Sequence, residues 1–145
     1  MIELAKSSRV ILYYNGAISG LTLFVQHPDE SVCTPSPLPV LSSVLEEDEM
    51  SLGILNTPPA DIVSAISKAM GLPTQLLQAD TAYREQVDTP DGIITVYLAH
   101  FKALDPPRQL MADKGCKFRT LTELRSRPPT EMELLRRAYC LVMES

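Results

Sequence analysis

The chain has 145 residues, 45% of them hydrophobic, a net charge of −5 and three cysteines. That length fits one domain, spanning residues 1–145, with enough apolar material for a core. The acidic balance, without any run of Lys and Arg, excludes a dedicated nucleic-acid binder or a protein that docks on anionic membranes.

The opening residues lack the apolar stretch of a signal peptide, and the first apolar run, residues 10–14, is too short to cross a membrane. Residues 9–14 and 21–26 are β-prone runs separated by Asn15-Gly16 and Gly20, which predicts a hairpin. Residues 27–39 hold Pro28, Pro35, Pro37 and Pro39 and predict a proline-rich loop. Residues 39–45 and 50–55 are candidate short strands on either side of the acidic run 46–49.

Residues 58–70 read as a helix. Thr57 is a candidate cap, Pro58 and Pro59 suit a first turn that needs no N–H, and Asp61 complements the helix dipole. Ile62, Val63, Ile66 and Met70 form its apolar stripe, and Gly71 with Pro73 ends it. The opposite face carries Ser64, Ala65, Ser67, Lys68 and Ala69. A strand over 75–87 with a bend near Asp80, a turn over 88–92 and a strand over 93–101 follow. The last of these is apolar on both faces: Ile94, Val96 and Leu98 on one, Ile93, Tyr97, Ala99 and Phe101 on the other. A central strand covered on both sides produces that pattern. Residues 103–115 predict a loop and 116–120 a short strand. Thr120 with Glu123 and Thr130 with Glu133 have capping-box spacing. The final helix buries Leu134, Leu135, Ala138, Leu141 and Val142 and turns Arg136, Arg137 and Glu144 to water.

The helix Ala60-Asp-Ile-Val-Ser-Ala-Ile-Ser-Lys-Ala-Met-Gly-Leu, the strand Thr95-Val-Tyr-Leu-Ala-His-Phe and the segment Lys117-Phe-Arg-Thr-Leu-Thr-Glu-Leu together resemble a Nudix domain. The resemblance implies an α/β fold, an α-β-α sandwich with a mixed sheet between helices. In that family the helix carries R-E-U-x-E-E-x-G-U, where U is apolar, and its glutamates bind a divalent metal. Aligned on Gly71-Leu72, Ser64-Ala65 stand at the R-E positions and Lys68-Ala69 at the E-E positions. Ile66, Gly71 and Leu72 match the structural letters, and the catalytic glutamates are absent.

Two expectations follow from that resemblance. The preferred one is a non-catalytic Nudix-like domain, cytoplasmic and with no cofactor, that binds a nucleotide-like small molecule or a protein partner. Tyr83 and Tyr97 would stack a base, and Arg84, Arg119 and Lys68 would hold phosphate; set against this, the tyrosines serve equally as core and the arginines as surface. The alternative is a divergent hydrolase of nucleoside-diphosphate-linked substrates, with Mg²⁺ held by Glu46, Glu47, Asp61 and Glu85. A solvated acidic loop is the simpler account of Glu46–Glu49. A structural homodimer is the third reading. Spacing supplies no partner for His100 or His27, so both are read as structural. Cys33, Cys116 and Cys140 show no C-x-x-C pairing, which favours reduced thiols and signals neither a zinc site nor a redox motif.

Overall fold

The structure, a computed structural model, describes residues 7–16, 20–46 and 58–144. The candidate cap Thr57, the strand expected at 50–55 and Glu47–Glu49 fall outside that set. Eight strands form one mixed sheet: β1 (Ser8–Asn15), β2 (Thr22–Gln26), β3 (Cys33–Thr34), β4 (Ser43–Val44), β5 (Leu77–Ala79), β6 (Glu85–Thr89), β7 (Gly92–Phe101) and β8 (Lys117–Arg119). The order across the sheet is β4-β6-β7-β1-β2-β8, with β3 added on β1 and β5 on β7. β1 and β7 run parallel, from Ser8↔Thr95 to Tyr13↔His100, and the other pairs are antiparallel.

Helices cover both faces, and the alternation of β7 explains why. Tyr97, Ala99 and Phe101 join Val10, Leu12 and Val25 beneath α1 (Pro59–Met70) and α2 (Arg108–Ala112). Ile94, Val96 and Leu98 join Ile11, Phe24 and Val87 beneath a 3-10 turn (Thr122–Leu124) and α3 (Pro129–Glu144). Because successive side chains point to opposite faces, one strand feeds two cores. Each fully buried Leu, Ile or Val in them contributes about 1.5–3 kcal/mol relative to exposure. This is the helix–sheet–helix sandwich that the two-sided strand predicted.

α1 runs as expected. It buries Ile62, Val63 and Ile66, and it ends at Gly71, whose φ of 71° is the left-handed conformation that lets its N–H return to Lys68 O. The hairpin also forms, closed by Gly16 N–H donating to Leu21 O.

Four expectations are corrected. The strand predicted over 75–87 is two strands, both paired with β7 and parted by an excursion over 80–84 that begins where the bend was expected. The loop predicted over 103–115 contains α2, which buries Met111 at its centre. Thr130 does not cap α3: the helix starts at Pro129, and the Thr130 hydroxyl donates to Ser42 O instead. Arg137 does not face water. It lies against Glu85 at 2.8 Å and Glu133 at 2.7 Å, and it also reaches Glu46. The Thr120–Glu123 box forms as predicted, Glu123 N–H donating to Thr120 Oγ1 and Thr120 N–H to Glu123 Oε1. No helix among the described residues is long and apolar enough to cross a membrane.

The proline-rich loop is held at defined points. The buried Arg9 guanidinium donates to Pro37 O, and the Ser42 hydroxyl donates to Pro39 O. Its tip leaves Val40 exposed.

Candidate functional site

The outer face of α1 borders a groove of about 300 Å³ closed on its other side by β5. Among the described residues its polar lining is Ser64, Ser67, Lys68, Thr74, Gln75 and Gln78, none of them a carboxylate. Hydroxyls and amides accept as readily as they donate, so the ammonium of Lys68 sets the sign of the groove. The groove wall also carries a strained residue. Pro73 O accepts from Leu76 N–H in a tight turn, and Gln75 within it has φ of 72°, a conformation that favours glycine. A shallower depression on the solvent side of α1 involves Asp61, Ser64, Ala65, Lys68 and Ala69.

The sequence singled out Tyr83, Arg84, Tyr97, Arg119 and Lys68 together. The structure unites only two of them directly. Tyr97 lies in the α1-side core and Tyr83 in the α3-side core, so the sheet separates them. Tyr83 is fully engaged, its hydroxyl donating to Leu134 O at 2.9 Å. Burial, followed by the charge of Glu85, pushes that hydroxyl's pKa well up. Arg119 is on β8, at the far edge of the sheet, where its Nε donates to Gln26 Oε1. Lys68 is on the exposed side of α1.

Arg84 and Tyr97 lie near each other. Glu85 is the register partner of Val96, so Arg84, one residue earlier, stands across from Tyr97 on the antiparallel neighbour. Burial raises the Tyr97 pKa, and the Arg84 charge opposes that rise. The Tyr97 hydroxyl oxygen is buried and has no hydrogen-bond partner.

The residues proposed for a displaced metal site do not converge. Asp61 sits on α1, on one side of the sheet. Glu46 and Glu85 sit on the other side and share the Arg137 guanidinium with Glu133. Glu47 lies outside the described residues. Among the described residues no three His, Cys, Asp or Glu side chains come together in a way that could hold a metal ion.

Two pairings escaped the sequence. Asp80 supplies the carboxylate that His100 lacked: His100 Nδ1 donates to Asp80 Oδ1 at 3.0 Å, a direction fixed because an ionised carboxylate only accepts. The β5–β7 ladder makes this contact. Gln78 pairs with His100, and Asp80 N–H continues the ladder to Leu98 O. The Tyr13 ring packs beside His100 at 5.8 Å between centroids, and burial, then Asp80, raises its pKa. The bend expected at Asp80 was the one available signal, since it placed that residue beside the end of β7. The second pair is His27 with Cys116, Nδ1 to Sγ 3.5 Å, both buried. Burial lowers the His27 pKa and raises that of the Cys116 thiol, which keeps both neutral and makes the thiol a poor nucleophile.

A further cavity of about 380 Å³ lies between the proline-rich loop and the start of α3. Its carboxylate, Glu131, is consumed structurally: it accepts from Arg127 Nε at 2.9 Å, from the Ser31 hydroxyl at 2.7 Å and from Val32 N–H. No family model matches this chain, and a search of curated proteins returns no relative of it.

Proposed function

We propose that the chain is a Nudix-like domain that binds a small phosphate-bearing molecule, nucleotide-like in kind, and does not hydrolyse it. One observation carries the reading: among the described residues, the groove against α1 is lined by hydroxyls, amides and the Lys68 ammonium, with no carboxylate. Metal-assisted phosphoryl chemistry needs clustered carboxylate oxygens to hold a hard cation. Lys68 stands where the Nudix helix carries a glutamate, and an ammonium there repels a divalent cation and attracts a phosphate directly. The described carboxylates of the hydrolase alternative are divided between the two faces of the sheet, Asp61 on one and Glu46 and Glu85, paired to Arg137, on the other.

Calorimetric titration with a panel of nucleoside diphosphate derivatives tests the proposal, once with Mg²⁺ and once in a chelator. The expected result is binding of the same strength in both buffers, with the ligand recovered intact. Ligand binding that requires metal and ends in cleavage would overturn it in favour of hydrolysis. Absence of binding in both buffers would leave assembly as the role.

A further inference from the structure

The interruption between β5 and β6 leaves one edge of β7 without a strand partner at Tyr97, since β5 pairs from Ala99 onward and β6 ends its ladder at Val96, while the other edge pairs Tyr97 with Val10 of β1. Two donors face this gap. The Tyr97 hydroxyl is buried, the residue being 1% exposed, yet nothing in the fold accepts its proton. Arg84 stands across from it, exposed, and among the described residues no carboxylate or carbonyl takes up its guanidinium. A guanidinium has five N–H groups and no lone pair to offer, so it cannot accept the phenol's proton. Two adjacent donors with no acceptor between them form a position that a protein acceptor would normally fill. Ala79 on the groove wall pairs with Ala99, two residues along β7 from Tyr97 and on the same face, so Tyr97 lies next to the end of the α1–β5 groove, beneath its surface.

We infer that Arg84 and the Tyr97 hydroxyl form an anchor for one phosphate group of the bound molecule, with Lys68 in the adjoining groove. This rests on the ligand-binding reading and names the residues that would give it specificity for phosphate. Arg84 supplies charge and a two-pronged donor, and Tyr97 supplies the donor that a purely electrostatic patch would lack.

ADP is titrated in a chelator at low ionic strength into the natural protein and into Arg84→Met, Tyr97→Phe, Lys68→Met and Arg119→Met, and each protein is melted without ligand. Arg84→Met and Tyr97→Phe are each expected to weaken ADP by about tenfold or more, the scale of a lost charge-assisted hydrogen bond. Arg119→Met, at the far edge of the sheet, leaves binding unchanged. Inorganic phosphate competes with ADP in the natural protein and loses that ability in Arg84→Met. Tyr97→Phe melts no lower than the natural protein, because the hydroxyl it removes has no partner to lose. Unchanged ADP affinity in both Arg84→Met and Tyr97→Phe, with loss in Lys68→Met, would sink the anchor and leave the groove standing. No ADP binding by the natural protein would sink both. A marked fall in the melting temperature of Tyr97→Phe would also overturn the anchor, since it would reveal an acceptor within the fold.

Discussion

Arg84 and Glu85 are neighbours in the chain and opposites in the fold. Glu85 turns toward α3 and meets Arg137 at 2.8 Å, within a knot that also holds Glu133 and Glu46. Arg84 turns toward α1 and meets no acceptor. The same contrast separates Tyr83, whose hydroxyl donates to Leu134 O, from Tyr97, whose hydroxyl donates to nothing. On the α3 side, Arg137 joins that helix to the sheet through Glu85. The α1 side keeps a guanidinium, an ammonium and a phenol unspent beside a groove. Polar groups already satisfied inside a fold stabilise it, and those left unsatisfied at a cavity are available to a ligand.

The largest test of that contrast is Glu131→Ala. Glu131 is 3% exposed and accepts from Arg127, Ser31 and Val32, so its loss strands three donors at once. The expected cost is about 3 kcal/mol or more, read as a lowered urea midpoint. A cost within a few tenths of a kcal/mol would mean that this side is no better satisfied than the other.

A smaller and sharper test pairs the two tyrosines. Tyr83→Phe is expected to cost about 1 kcal/mol for the lost hydrogen bond, against no loss for Tyr97→Phe. Equal costs in chemical denaturation would erase the distinction between the faces.

The smallest effect concerns pH. Burial holds the pKa of His27 below its ordinary value, so the unfolded chain binds the proton more readily. Stability from this residue is therefore fully present above the unfolded pKa of about 6.5 and falls as pH drops below it. Melting temperature measured from pH 7 to 5 is expected to fall less steeply in His27→Leu than in the natural protein. The nearby carboxylates of Asp29 and Glu131 oppose the shift and limit its size.

Several parts of this molecule were legible from local sequence because a local rule fixed them. α1 followed from its apolar stripe and its glycine stop. β7 followed from six consecutive residues, Ile94 to Ala99, that are buried on alternating faces. The bend at Asp80 was visible, but the resumption of pairing at Glu85 was not, because only the ladder on β7 shows that both segments belong to one edge. α2 was hidden by the Asp105-Pro106-Pro107 run ahead of it; its five residues give too little periodicity to outweigh those breakers. In the candidate site, the list Tyr83, Arg84, Tyr97, Arg119 and Lys68 named suitable chemistry without geometry. Tyr83 and Tyr97 are 14 positions apart, and parity within a strand could not be carried across the excursion at 80–84 that separates them.

By itself, the sequence determined the alternation of polar and apolar residues, and with it which segments become helix or strand and that helices cover both faces of the sheet. Those are properties of neighbours in the chain, set by periods of 3.6 and 2. Only the tertiary structure decided which charged and polar groups find partners: Asp80 for His100, Arg137 for Glu85, Leu134 for Tyr83, and none within the fold for Arg84 and Tyr97. Pairing depends on strand register and helix placement over separations of 20 to 52 residues, and no local period carries that information.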